Sequence, residues 1–270
     1  MLRRLTLAAG LALVMAGSGH AQAPKPPIRA FDLKTTEALG QAMYRQDSAA
    51  WVATDALQAK VRDLGAAYLR GWIVEDRGDH QLVRFLRDTG AGLEAGYDID
   101  VTPQFKATVL EPTERVLTAA ELANYAAIQT ANEAIRGQPI CRAGYNHIVL
   151  KDPEREGWLV WLLAPMPARD AMPLGGHYRV SVTADGKTAT QRDALSASCA
   201  VVGPPPKSPP GAQPAVAFVT HIVSPTPVET HVFLQIQSRH PLFVGAGDHV
   251  WSIERGHITD AGPIPTQPKR

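Results

Sequence analysis

Residues 157–163 read Gly157-Trp-Leu-Val-Trp-Leu-Leu163. An unbroken apolar run this short, opened by a glycine and rich in tryptophan, presents hydrophobic side chains on both faces of an extended chain. It predicts a central strand, buried on both sides. Working outward, a polar turn over Lys151–Glu156 joins it to a strand at His147–Leu150. On its C-terminal side, His177–Thr183 and Lys187–Arg192 flank Asp185-Gly186, the strongest short-range hairpin signal in the chain.

The segment before this sheet carries the clearest helix. Thr118-Ala-Ala-Glu121 is a capping box, in which the Thr hydroxyl and the Glu carboxylate each satisfy a backbone N–H at a helix start. Leu122, Tyr125, Ile128, Ala131 and Ile135 then recur at helical spacing, and Arg136-Gly137 stops the run. Further upstream, Gly71–Glu75, Gln81–Leu86 and Leu93–Thr102 read as strands, and two short helices are predicted at Thr35–Arg45 and after Ser48. Gly71-Trp-Ile-Val echoes Gly157-Trp-Leu-Val, and Tyr97-Asp-Ile-Asp-Val-Thr echoes Tyr178-Arg-Val-Ser-Val-Thr. Such recurrences are ordinary in a strand-rich protein, and a duplicated helix-plus-meander unit would be the alternative.

Residues 203–214 hold six prolines and read as a stiff extended linker. Beyond it, residues 215–262 offer short strands with tight turns, and residues 263–270 form a Pro-rich tail. The fold class is therefore α+β: antiparallel β-meanders with a few packed helices in residues 24–202, then a small all-β C-terminal module. That module is near the lower limit for independent folding, so it either stands as a small barrel or docks on the first domain.

The N-terminus places Arg3 and Arg4 before an apolar run that ends in Ala21-Gln22-Ala23. A basic start, a short apolar stretch and a small-x-small site predict a signal peptide over residues 1–23, cleaved after Ala23. The run is too short for the ~20 residues of a bilayer-spanning helix. Export changes the reading of the two cysteines: Cys141 and Cys199 are the only pair and are expected to form a disulfide bracketing the central sheet. A loop of that length would stabilise by roughly 4 kcal/mol.

The chain of 270 residues is 45% apolar with a formal charge of +1, which removal of Arg3 and Arg4 with the leader turns to −1. This excludes a disordered chain and gives no basic surface for nucleic acid. No G-x-S-x-G elbow, H-E-x-x-H, phosphate loop or dinucleotide fingerprint is present. One constellation remains. A hairpin of Phe218–Val223 on Glu229–Leu234, centred on Thr226, would place His221 opposite His231 with Glu229 on the same face. Two imidazoles and a carboxylate suit zinc or another divalent ion, although His beside Glu across strands is also a routine hydrogen-bonded pair.

Other polar residues read as ordinary surface. Asp98 and Asp100 share one strand face that is expected to be solvated, and His240, His249 and His257 show no ligand spacing. Arg155 and Arg169 lie in polar loops without a partner motif. Of Trp51, Trp72, Trp158, Trp161 and Trp251, most read as core. The expectation is an exported soluble envelope protein, periplasmic or secreted, without a cofactor. It would have a non-catalytic binding or structural role towards an envelope component or small ligand. The alternative is metal binding or metal-dependent chemistry through His221, Glu229 and His231.

Overall fold

The computed structural model describes residues 27–168, 171–203 and 216–264. The leader, all of the linker except Gly203, the tail beyond Ile264 and Arg169 lie outside the described residues. In chain order the elements are α1 (Leu33–Lys60), β1 (Leu69–Asp76), β2 (Gln81–Asp88), β3 (Leu93–Val101), β4 (Ala107–Leu110), α2 (Ala119–Ala134), β5 (Asn146–Lys151), β6 (Trp158–Leu163) and β7 (Met172–Pro173). There follow β8 (Tyr178–Val182), β9 (Ala189–Ala194), β10 (Val201–Val202), β11 (Ala217–His221), α3 (Glu229–Ser238), β12 (Leu242–Ala246), β13 (His249–Glu254) and β14 (His257–Pro263). The class is α+β. No described helix is long and apolar enough to cross a membrane.

Two antiparallel meanders form the frame, in the orders β1-β2-β3-β4 and β5-β6-β8-β9. Strand β6 is buried at every position, as its sequence implies. On one face Val160 and Leu162 pack with Val180 and with Ala127 and Ile128 of α2. On the other, Leu159, Trp161 and Leu163 meet Met43 of α1 and Phe233 of α3. The β8–β9 hairpin turns at Asp185-Gly186 and β8 pairs with β9 in antiparallel register. Gly186 has φ of 76°, and a Cβ there would lie 2.1 Å from the Ala123 carbonyl oxygen, so the turn sits directly on α2. Both halves of the capping box are made: Thr118 N–H donates to Glu121 at 2.7 Å, and Glu121 N–H donates to the Thr118 hydroxyl at 3.2 Å.

The two short N-terminal helices are one. Asp32 caps it, its carboxylate accepting from Thr35 N–H at 2.8 Å, and the helix runs through Ser48 without a break. Its first half packs on the second meander through Leu39 and Met43, and its second half on the first meander through Ala49, Ala53 and Leu57. Gln46, between these halves, exchanges two hydrogen bonds with the backbone of Val149 on β5, at 2.9 and 2.8 Å, and donates to the Val74 carbonyl on β1 at 3.4 Å. It thus stitches the edge strands of both meanders. Trp72 of β1 and His147 of β5 stack beside it with centroids 4.9 Å apart.

The internal echo does not mark equivalent strands. Gly71-Trp lies on the first strand of its meander and Gly157-Trp on the second, while both Tyr-initiated segments lie on the third.

The C-terminal region differs most from expectation. It forms a sheet in the order β11-β12-β13-β14, but Glu229–Ser238 is a helix, not a strand. Strands β11 and β12 are parallel, so α3 is their crossover and the predicted hairpin does not exist. Val228, Val232, Phe233, Leu242, Val244 and Ile253 join the same core as Phe31, Leu39 and Trp161. The region is docked on the rest of the chain and shares its hydrophobic core. Helices α1 and α3 cross closely at Gly40, where a Cβ would lie 2.5 Å from Val232 Cβ and 2.8 Å from the Glu229 carbonyl oxygen.

The disulfide forms as expected, joining Cys141 and Cys199 with Cα atoms 5.5 Å apart.

Candidate functional site

A cleft of about 1010 Å³ opens between α1, the C-terminal half of α3, the end of β6 and the start of β11. It is at the upper end of the size range for small-molecule pockets. One wall is a face of α1. Tyr44, Asp47, Ser48 and Trp51 recur at helical spacing and all line the cleft. Phe233, Gln237 and the exposed Arg239 and His240 line the α3 side, with Phe105 edge-on to Tyr44 at 5.9 Å. Met172, Pro173 and His177 form another part of the wall.

Asp47 is the unusual group here. Its half-buried carboxylate accepts one long hydrogen bond, from Gln237 Nε2 at 3.4 Å. Burial pushes its pKa up to about 6. Trp51, one turn further along, is 69% exposed. It is therefore not a core residue, and its indole is free to cover a bound group.

His177 holds the wall in place. Its Nδ1 accepts from Ala164 N–H at 3.0 Å, which leaves the proton on Nε2 to be donated to the Pro173 carbonyl at 2.5 Å. The ring is neutral, because burial drives its pKa down to about 4. With both nitrogens engaged, His177 positions backbone rather than acting as an acid or base.

The structure brings His221 and His231 together by a different route from the predicted hairpin. His221 ends β11, His231 sits in the first turn of α3, and their rings meet edge-to-face at 4.8 Å. His231 Nδ1 accepts from Val228 N–H at 3.1 Å, so its proton is on Nε2. Ser224 donates its hydroxyl to the Thr226 carbonyl at 2.6 Å and therefore accepts from His221 Nε2–H at 2.7 Å. Burial depresses the pKa of His221 to about 4 and holds that of His231 well below the ordinary imidazole value, with His221 and His177 adding to the second shift.

Glu229 turns away from both rings. It pairs with Arg179, which also contacts Asp193 at 2.7 Å and the Arg29 carbonyl. The Arg29 and Arg179 guanidinium groups both lie over the Phe31 ring, at 4.6 and 4.7 Å from its centroid. Among the described residues no three His, Cys, Asp or Glu side chains surround a metal-sized space.

The other singled-out residues have local roles. Asp98 is buried, not solvated: it and Glu121 share Arg84 in an ion triad that ties β2 and β3 to the capped end of α2. Asp100 is only partly covered. His249 pairs with Asp260 at 2.8 Å and His257 with Glu37 at 3.3 Å, both at the surface. Arg155 is exposed and makes a turn hydrogen bond from its N–H to Asp152. Trp158 and Trp161 are core, while Trp72 and Trp251 are half-buried.

No protein-family model, curated protein or solved structure matches the chain.

Proposed function

We propose that this is an exported, non-catalytic binding protein of the cell envelope, and that its ligand is a small molecule with an apolar body held in the α1–α3 cleft. The observation that carries this reading is the cleft itself. It is large, its lining is mainly apolar and aromatic, and it holds a few fixed polar groups. The Cys141–Cys199 bridge fits an oxidising compartment. The leader read at residues 1–23 adds support for export with cleavage after Ala23. The buried rings of His177, His221 and His231 argue for binding over catalysis, since burial holds each of them neutral and each makes a hydrogen bond within the fold.

The test is to express the full chain with its leader and recover it from the envelope fraction under non-denaturing conditions. Native mass spectrometry should find a co-purifying small molecule that is displaced by unfolding. Filling the cleft with Ser48→Trp should abolish that mass while leaving a cooperative unfolding transition. If the protein carries no ligand and none of a panel of aromatic compounds quenches or shifts Trp51 fluorescence, the reading fails. The alternative, a divalent ion on His221, Glu229 and His231, is checked on the same material. Stoichiometric metal lost in a His221→Ala/His231→Ala variant would replace the present reading.

A further inference from the structure

The carboxylates buried among the described residues follow one rule, and the half-buried Asp47 departs from it. Asp98 and Glu121 share Arg84; Asp193 and Glu229 share Arg179; Asp152 is paired with Arg29. Each has a guanidinium within hydrogen-bonding distance, as burial of charge requires. Asp47 has none. It lies in the middle of α1, away from the helix N-terminus whose dipole would favour a negative charge. The other titratable groups of the cleft do not serve it. His177 is neutral with both nitrogens used, and Arg239 and His240 are exposed at the end of α3, without an ion pair to Asp47 among the described residues.

The surroundings of Asp47 are aromatic. Tyr44 and Trp51 flank it on the same helix face, and Phe105 and Phe233 line the same cleft. A carboxylate next to aromatic faces is the arrangement that recognises an organic cation. The carboxylate supplies the opposite charge, and the ring quadrupoles attract the ammonium while the hydrocarbon body is buried. A hard metal ion is not served by one carboxylate, since it takes six or more oxygen ligands.

We infer that the ligand of the cleft is an organic ammonium whose charged head seats on Asp47 against Trp51, with its apolar body between α1 and α3. This rests on the cleft being the binding site. The ligand's charge then supplies what Arg29, Arg84 and Arg179 supply elsewhere.

The test is calorimetric titration of the full chain with three probes that share one body: naphthylmethylammonium, naphthylmethanol and naphthoate. At about pH 7.5 the ammonium should bind at least about tenfold tighter than the alcohol, and the carboxylate most weakly. Asp47→Asn should bring ammonium and alcohol to within about threefold of each other. Trp51→Ala should weaken the ammonium more than the alcohol. Lowering the pH to about 5 should shrink the preference, because Asp47 then takes up a proton. If the alcohol matches the ammonium, or the preference survives Asp47→Asn, the inference is overturned while the cleft remains a binding site. If none of the three binds, the cleft reading and this inference both fail. Asp47→Asn is expected to fold, and its thermal transition checks that independently.

Discussion

Arg179 on β8 and Glu229 at the start of α3 form an ion pair in which both side chains are 1% exposed. The pair joins the second meander to the C-terminal region, and Asp193 gives Arg179 a second acidic partner. Removing the shared cation strands both carboxylates in a buried site. Arg179→Met should therefore cost about 3–5 kcal/mol in urea unfolding. Replacing all three together, as Arg179→Met/Asp193→Leu/Glu229→Leu, should cost less than the single change. A single variant within about 0.5 kcal/mol of the parent would show that the site is wet.

Asp47 makes stability depend on pH in an unusual direction. Its folded pKa of about 6 lies above the ordinary 3.8, so the folded state holds its proton more tightly. The stability this proton gives is complete below pH 4 and lost as the pH rises through 6. Asp47→Asn should match the parent near pH 4 and exceed it near pH 8 by at most about 3 kcal/mol. Equal stability of the two proteins at both pH values would mean that the carboxylate is solvated.

The buried histidines act in the opposite sense. His177 and His221 have folded pKa values of about 4, below the ordinary 6.5. Stability is complete above pH 6.5 and falls as the pH drops towards 4, by on the order of 3 kcal/mol for each ring. His221→Asn should flatten the acid limb of a plot of unfolding midpoint against pH. An unchanged acid limb would mean the ring is not desolvated.

Gly40 sets the separation of α1 and α3. Gly40→Ala puts a methyl onto Val232 and the Glu229 carbonyl, and should destabilise by about 1–3 kcal/mol despite the better helix propensity of alanine. Shortening Val232 to Ala in the same chain should recover part of the loss, measured as a double-mutant cycle.

Reducing the Cys141–Cys199 bridge should lower stability by roughly 4 kcal/mol, and Cys141→Ala/Cys199→Ala should reproduce that loss. Thiol titration of the denatured, unreduced chain should find no free thiol.

Local signals were legible where local chemistry decides. Thr118 and Glu121 announce a helix start, Asp185-Gly186 a hairpin, and the unbroken apolar run of β6 a strand covered on both faces. Helix α3 was not legible because Glu229 to Gln235 is buried on every side. Such a helix shows no polar stripe at helical period, and its Thr230, Val232 and Phe233 favour strand by propensity alone. The cleft was missed for a related reason. Reading Ser48 as a helix start separated Tyr44 and Asp47 from Trp51, which the continuous α1 places on one face. Tertiary packing on two meanders keeps that helix intact through Gly40 and Ser48, and this cannot be read from their propensities.

Gln46 has a consequence for how this chain behaves among its own copies. Edge strands with unpaired backbone are templates on which another chain can add a strand. The Gln46 amide occupies that position at Val149 of β5 and reaches Val74 of β1, acting as a strand one residue long that cannot be extended. At these two points the edge backbone is met from within the chain, so the strand of a neighbouring copy finds Val149 already paired and the Val74 carbonyl already engaged.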